Sequence, residues 1–379
     1  MSDDAAPRPE TAGVRPLVIV SRSLTREVLA DGRITSSSQK FERGFVLGCS
    51  ARTPVTVVNV SKRGDGGREG RIGDIRFLST TYAGLIPTLI RVAPRDAAVL
   101  TTGYGPITMI ALAVSRLLGK RVFAFIYDSH LNDLNGRSLA GRLAIHAYFG
   151  IGFLLAHLMN GWIVLNDAFV RAGRLPSPPC LKVRVGVDPA LRPSPPRPAT
   201  ASDRPVFVWS GTLNADNGTQ VLIDAAGKMG ARAFELHVYG YGPMTHLVQE
   251  AAARDPRIRF HGRVDNAEVV AAQRRADALV HLRDPRSAGS DHAYPSKLIE
   301  YLCSDRPVIS NPIPVISDVQ DLLIPLDAYD AEALASTLSA IVDRRLALPR
   351  QTGAAAVVVA RQNWNTVSAE VLDFVSAPR

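Results

Sequence analysis

The chain has 379 residues, of which 46% are apolar, 21% charged and 6% aromatic. That length exceeds one ordinary core and suits two domains, and the composition excludes a chain too polar to fold. The net charge of +9 is uneven: residues 1–193 carry 25 Lys/Arg against 14 Asp/Glu, net +11, and residues 194–379 carry 19 against 21, net −2. A basic half beside a near-neutral half fits either a lobe facing an anionic partner, such as phosphates or an anionic membrane, or simply Arg-rich solvated faces. Nucleic acid is not expected, because no recognisable binding motif accompanies the charge.

Residues 1–14 are small, polar and Pro-containing and read as unstructured. They lack the apolar core of a signal peptide, so nothing in them directs export. Leu17–Ser21 (LVIVS) is a short apolar run of buried-strand type, and similar runs recur at Val55–Val60, Ala97–Thr101 and Val122–Tyr127. Helical stretches separate them, Ile107–Leu118 among them. This alternation predicts a doubly wound α/β domain with a parallel sheet. Leu143–Leu165 is apolar enough to suggest a membrane span, but His146 and His157 interrupt it and Asn160-Gly161 stops a helix. The expectation is a buried helix followed by a strand at Trp162–Leu165, with a membrane-surface role left open.

Between Arg192 and Pro205 the chain reads RPSPPRPATASDRP. Proline at that density removes backbone donors and blocks helix, so residues 193–205 are the expected linker between a domain at 15–192 and one at 206–360. After the linker the alternation restarts. Strands are expected at Val206–Ser210, Glu235–Tyr239, Ile258–Phe260, Ala278–Leu282 and Pro307–Ser310. Helices are expected at Gly218–Lys228, Met244–Arg254, Ala267–Arg275 and Ser296–Ser304. Residues 361–379, with a helix at Val367–Val375, are expected to cross back over the linker.

Three cysteines, Cys49, Cys180 and Cys303, stand far apart with no CxxC pair, which indicates neither a zinc site nor a disulfide framework. A reducing, cytoplasmic location is the default. Neither half has GxGxxG after its first strand, and GxxxxGK[ST] occurs nowhere, so nicotinamide, flavin and P-loop chemistry lose their phosphate cradles. Glycines stand instead in Ser210-Gly211-Thr212, Gly240-Tyr-Gly242-Pro243 and His261-Gly262-Arg263, each at a strand end. Ligands in open parallel sheets bind just past those ends, where a missing Cβ admits a phosphate or a base. Tyr294-Pro-Ser-Lys-Leu-Ile-Glu-Tyr301 adds a helix start, with Ser296 the candidate cap. Lys297 lies in the first turn, where a cation opposes the dipole unless an anion sits nearby. Glu300 shares its face. Spacing alone allows two readings: a lysine facing a diphosphate beside a carboxylate binding a ribose, or an ordinary surface salt bridge.

Taken together, the run Ser210-Gly-Thr-Leu, Asn217-Gly218, His237-Val-Tyr-Gly-Tyr-Gly242, Arg259-Phe-His-Gly-Arg-Val264, Arg275-Ala-Asp277, YPSKLIEYL and Arg306-Pro-Val-Ile309 resembles the retaining glycosyltransferases of family 4 (glycosyl transferases group 1). The first half agrees more loosely, through Tyr127-Asp-Ser-His130, Gly186-Val-Asp188 and Trp364. The resemblance implies the GT-B fold: two Rossmann-like α/β/α domains with parallel sheets facing a central cleft. It implies transfer of a sugar from a UDP- or GDP-type nucleotide to an acceptor hydroxyl, with retention. On the matching positions, Glu300 binds the donor ribose and the backbone at Arg263-Val264 brackets the base. Gly211, Gly242 and Lys297 line the diphosphate, and Thr212, His292, Ser296 and Leu298 are further donor-binding candidates. His130 sits over the transferred sugar, with Asp128 a lesser helper.

The departures concern charge. Thr212 and Asn217 stand where such sequences commonly carry Arg and Lys, and His292 stands where a second glutamate is common. Lys297, or Arg283 and Arg286 in the preceding loop, are the replacements on offer. Thr35-Ser-Ser-Ser-Gln-Lys40 replaces a Gly-Gly loop, so Ser37, Ser38 and Lys40 are acceptor-side candidates. No DxD motif sits at a strand end, so neither metal nor other cofactor is expected. The basic first half fits a saccharide acceptor on polyprenyl diphosphate and a peripheral position at the inner membrane face, in surface or exported polysaccharide assembly. The rival expectations are a non-catalytic GT-B nucleotide-sugar-binding protein and a sugar-nucleotide epimerase.

Overall fold

The computed structural model describes residues 15–34, 36–62, 69–126, 138–165, 179–188, 204–287 and 295–378. Two compact units emerge, Met1–Pro189 with Gln362–Arg379, and Ala190–Arg361. The first contains β1 (Leu17–Ser21), α1 (Arg26–Asp31), α2 (Ser37–Ser50), β2 (Val55–Ser61), β3 (Glu69–Ile72), β4 (Ile75–Thr81), α3 (Leu85–Val92) and β5 (Ala98–Thr102). It continues with α4 (Pro106–Leu117), β6 (Arg121–Ile126), α5 (Leu139–Leu155), β7 (Gly161–Val164) and β8 (Cys180–Lys182). Its eight strands run in the order β3-β4-β2-β1-β5-β6-β7-β8. All pairs are parallel except the β3–β4 hairpin. The central strands are continuous apolar runs because helices cover both faces: every residue of β1, β5 and β7 is buried.

Two first-half expectations change. Thr35–Lys40 is not a loop throughout, because α2 begins within it. The Ser36 hydroxyl accepts from the Gln39 amide at 3.2 Å, a side-chain cap that starts a helix carrying Ser37, Ser38 and Lys40 in its first turn. The helix expected to be buried is instead largely exposed. Only 12% of the most apolar stretch of Leu139–Leu158 is buried, and that stretch is long and apolar enough to cross a membrane. One narrow face seats α5. Gly152 packs so closely that a Cβ there would lie 2.3 Å from the Tyr104 carbonyl oxygen, and Phe149 meets the Tyr104 ring at 5.1 Å. An apolar run cannot distinguish a core helix from one that keeps most of its apolar surface outside.

The second unit contains β9 (Val206–Thr212), α6 (Thr219–Lys228), β10 (Glu235–Tyr241), α7 (Thr245–Arg254), β11 (Ile258–Gly262), α8 (Asn266–Arg275) and β12 (Ala278–His281). There follow α9 (Ser296–Cys303), β13 (Val308–Ser310), β14 (Ile324–Pro325), α10 (Ala331–Val342) and α11 (Ala354–Gln362). The strand order is β11-β10-β9-β12-β13-β14, all parallel. Counting from β9, this is the 3-2-1-4-5-6 order of a dinucleotide-binding domain, and it reverses between β9 and β12. Phe207, Leu222, Phe234, Leu236, Val280 and Leu338 are among the fully buried side chains of its core.

The last helix, α12 (Trp364–Ser376), packs on the first unit. Asn363 caps it through Thr366, and its neighbours exchange backbone bonds with Val187 at 2.9 Å. Trp364 requires glycine on two sides, since a Cβ at Gly44 would fall 2.0 Å from its ring nitrogen and one at Gly186 2.4 Å from its ring. Phe41 meets the same ring edge-on at 5.1 Å.

Candidate functional site

In the second unit the candidate residues gather at one edge, where the strands of the parallel sheet end. Gly211 and Thr212 close β9, Gly242 follows β10, Arg263 and Val264 follow β11, and Lys297 and Glu300 lie on the helix after β12. The glycines there have an immediate structural cause. Gly240 has φ +132°, and a Cβ on it would lie 1.8 Å from the Gly211 carbonyl oxygen. At Gly242 a Cβ would lie 2.3 Å from the Leu213 oxygen. Adjacent backbones therefore approach one another here.

The α9 start differs slightly from expectation. Pro295 occupies the cap position and Ser296 is the first helical residue, exposed. The proline ring leaves no side-chain acceptor for the first-turn amides, and no side-chain cap forms. Leu298 is fully buried, so its side chain belongs to the core. Lys297 donates to Glu300 Oε1 at 2.8 Å, with side-chain exposures of 35% and 12%. The salt bridge and the carboxylate site are thus the same pair of residues.

Glu300 is held from a second direction that the motif did not disclose. Gln273, at the end of α8 and fully buried, donates through Nε2 to Glu300 Oε1 at 2.9 Å and to Ser210 Oγ at 3.3 Å. The Ser210 amide in turn donates to the Tyr301 hydroxyl at 2.6 Å, and that hydroxyl donates to the Ser210 carbonyl at 3.1 Å. Burial drives the Tyr301 phenol well above its ordinary range, so it remains a neutral donor. The carboxylate is therefore fixed to the end of β9 through a buried chain of neutral groups. Sequence spacing cannot reveal this, since Gln273 and Glu300 are 27 residues apart with no shared helix face.

On the β10–β11 side, Tyr241 is 59% exposed and the Arg263 guanidinium lies 5.3 Å from its ring centroid. Tyr239 stacks on His261 at 4.3 Å with planes 5° apart, His261 shares a hydrogen bond with His237 at 3.1 Å, and His237 reaches Glu235 at 3.1 Å. The bond from His237 holds the Glu235 carboxyl below its ordinary range, and burial, then the His237 charge, lowers His261. At the end of β12, His281 is buried with its ring nitrogen 2.9 Å from Ser310 Oγ. Burial, helped by the nearby Arg283 charge, pushes its pKa down to about 3, so the ring is neutral at pH 7. Among the described residues, no three His, Cys, Asp or Glu side chains are grouped to hold a metal ion.

His130, Asp128 and His292 lie outside the described residues. Ser37, Ser38 and Lys40 belong to the first unit, Ser38 partly exposed and Lys40 exposed.

Residues 204–344, which span this edge, match the family model described as glycosyl transferases group 1. Over 164 residues the chain is 27% identical to the phosphatidyl-myo-inositol mannosyltransferase of Mycobacterium tuberculosis (strain CDC 1551 / Oshkosh), a match covering 41% of this chain and 42% of that protein. The chain thus matches less than half the length of that curated relative. Two solved structures resemble it nearly end to end. Sucrose-phosphate synthase from Thermosynechococcus elongatus aligns with TM-score 0.67 at 14% identity, covering 95% of this chain and 98% of that one. Anabaena HepE in complex with UDP-glucose aligns with TM-score 0.66 at 12% identity, covering 95% and 99%. The fold is GT-B. Glu300, Lys297, Gln273 and the strand-end glycines all lie within the residues that match the family model.

Proposed function

We propose that the chain is a glycosyltransferase that takes a sugar from a UDP- or GDP-type donor and passes it to an acceptor hydroxyl, with retention and without a metal ion. The observation that carries this is Glu300. It is a carboxylate at the strand-end edge, within the residues that match the family model, held on one oxygen by Gln273 and Lys297. A fixed carboxylate suits the vicinal hydroxyls of a ribose, because two charge-assisted bonds then form without ordering the acceptor first. The bracketing of the base by Arg263 and Val264, like the roles of His130 and Asp128, rests on the family resemblance alone. The leaving diphosphate requires positive charge or amide donors in place of a cation. Lys297 is one such donor.

The acceptor proposed is a saccharide on a polyprenyl diphosphate, met at the inner face of the plasma membrane during assembly of a surface or exported glycan. The exposed α5 supports a membrane surface. Leu139, Leu143, Ile151 and Leu154 are exposed on it, Ile107, Ile110 and Leu117 on α4, and neither helix contains a carboxylate. Arg116 and Arg142 supply the charge, and an apolar face rimmed by arginine is what an anionic bilayer surface binds.

Thermal unfolding with UDP-, GDP- and dTDP-sugars tests the donor, because a ligand of the native state raises the melting temperature with its concentration. Transfer to a lipid-linked and a free saccharide, with product anomer and EDTA resistance, tests the rest. Donor rearrangement without acceptor would instead indicate an epimerase, and binding without turnover a non-catalytic protein. Sedimentation with anionic vesicles at low salt should fall sharply in the double variant Leu143→Glu, Ile151→Glu; unchanged sedimentation would remove α5 from the membrane reading.

A further inference from the structure

The ladder between β10 and β11 breaks once. Val238 pairs with Phe260 and Tyr239 with Gly262, so His261 is the extra residue of a β-bulge and has no partner in register. Gly262 follows with φ +67°, and the chain turns there into Arg263 and Val264. A bulge at a strand end aims whatever follows it, and here the backbone ladder leaves that aim open. Side chains fix it instead. The His261 ring lies parallel to Tyr239 at 4.3 Å, and its Nε2 is 3.1 Å from His237 Nδ1. His237 Nε2 lies 3.1 Å from Glu235 Oε2, and Arg259 donates to Glu235 Oε1 at 3.0 Å.

These bonds dictate where the protons sit. The Glu235 carboxylate only accepts, so His237 carries its proton on Nε2 and leaves Nδ1 bare. The Nε2 of His261 must then donate to that nitrogen. One added proton is tolerated. On His261 Nδ1 it leaves every bond intact, and when the Nε2 proton then passes to His237 the cation lies against Glu235. A second added proton puts an N–H on both facing nitrogens and a charge on both rings, and the bond between them is lost. The remaining charges around the pair are few: Arg204 bears on Glu235, Glu268 of α8 bears on His261 and Tyr239, and Arg275 of α8 bears on Tyr239. The side chains of His237 and Glu235 are only 18% and 23% exposed, so little water is at hand to replace a lost bond.

We propose that His261 is a positioning residue: clamped by His237 and Tyr239, it holds the Gly262–Val264 turn in the shape that receives the donor base, and the clamp opens when the histidine pair takes a second proton. The closed clamp holds at most one added proton and the open one two, so acid favours the open form and weakens donor binding. The inference rests on the donor reading above, in which Arg263 and Val264 bracket the base.

The test is calorimetric titration of the full chain with UDP and with GDP between pH 8 and pH 5, in wild type, His261→Gln and His261→Leu, with nitrogen NMR of the imidazoles on the same protein. Glutamine brings an amide N–H to the place of Nε2 and cannot take a proton. Wild-type affinity should hold down to about pH 6.5, the ordinary value of an imidazole, and then fall by no more than about tenfold per unit, the limit for one linked proton. His261→Gln should bind as wild type does at pH 8 and keep more affinity at pH 5. His261→Leu should be weaker by about threefold to tenfold already at pH 8, the worth of one hydrogen bond, and lose no more with acid than His261→Gln does. The nucleotide phosphates titrate alike in all three proteins, so the difference between the curves is what counts. A purely structural His261 would move melting temperatures and leave the three pH profiles parallel. Parallel profiles for wild type and His261→Gln, or a His261→Leu variant equal to wild type at pH 8, overturn the proposal, as do two imidazoles that take up their protons independently. A wild type that binds neither nucleotide at pH 8 overturns the donor reading and the positioning role with it, while the nitrogen spectra still decide whether the pair holds a single proton.

Discussion

The two sheets share a plan and differ at their strand ends. Around β1 the first unit runs β4-β2-β1-β5-β6-β7, and around β9 the second runs β11-β10-β9-β12-β13-β14, with the same reversal beside the first strand. Where β1 pairs with β2 the last residues in register are Ser21 and Asn59, both buried. Where β9 pairs with β10 the last residues in register are Thr212 and Tyr241, both exposed, preceded by Gly211 beside Gly240. In the first unit the end is closed by side chains: the Ser21 hydroxyl donates to the buried Glu42 and accepts from the amides of Ser23 and Leu24. In the second a glycine pair brings the backbones together just before an exposed last pair, and the nearby carboxylate, Glu300, keeps some exposure. One topology thus serves as closed core or as open site according to what its strand ends bear.

Breaking that contrast outright should take one methyl group. Gly240→Ala places a Cβ against the Gly211 carbonyl at a backbone angle that only glycine tolerates. The expected cost is about 2–5 kcal/mol, from strain and overpacking together. Urea unfolding followed by the fluorescence of Trp209 reads it. A wild-type midpoint would mean that the two strand ends move apart freely, and that the glycine is there for a ligand alone.

The two glutamates sharpen the contrast. Glu42 is 1% exposed and bonded inside the first unit, so Glu42→Ala should cost on the order of 1–3 kcal/mol of stability, for the Ser21 hydroxyl left unpaired. Glu300→Ala should leave the melting temperature within a few degrees but weaken donor binding about tenfold to a hundredfold, the worth of a charged hydrogen bond. Melting curves with and without nucleotide separate them. If Glu300→Ala lost stability and no affinity, the edge would be a structural salt bridge, as spacing alone allowed.

What the sequence disclosed follows the same division. Apolar runs and proline punctuation located the central strands of both halves, because a parallel strand covered on both faces is a continuous apolar word. Strand-end positions located the glycines, and the Tyr294–Tyr301 motif located Lys297 and Glu300, because close backbone packing at a strand end admits few residue types. The β3–β4 hairpin was not foreseen, since Glu69–Ile72 is short, charged and half-exposed and carries no strand signal. The serine run at 35–40 looked like a loop although Ser36 makes it a helix start. Gln273 and the His237–His261 clamp were hidden for another reason. They join residues 27 and 24 positions apart, and nothing local marks a side chain whose role is to hold another.

Gln273 offers a subtler test of how the open edge is kept in order. Gln273→Leu removes one of the donors to Glu300 and the bond to Ser210 while keeping the volume. Donor affinity should fall about threefold to tenfold, since one net hydrogen bond is worth roughly 1 kcal/mol. Gln273→Glu should be worse than Gln273→Leu, because a second carboxylate then faces Glu300 in a buried site. Its defect should ease as pH falls and the new carboxyl protonates. If both variants bound donor as wild type does over pH 5–8, Glu300 would be positioned without Gln273.

The last effect concerns pH. His281 titrates near 6.5 when unfolded and near 3 when folded, so below pH 6.5 the unfolded chain holds a proton that the native ring refuses. Stability from this group is complete above about pH 6.5 and is lost as pH falls toward 3, at no more than about 1.4 kcal/mol per unit. Glu235 and His261, also lowered, act in the same direction, so the second unit should weaken with acid faster than a domain without them. His281→Asn keeps a polar partner for Ser310 and cannot take the proton. Its unfolding free energy should fall less steeply between pH 6 and 4 than that of wild type, with the difference vanishing above pH 7.5 apart from a constant offset. A parallel pair of curves would mean that the buried ring is reached by water before the unit unfolds, and that the end of β12 is open as well.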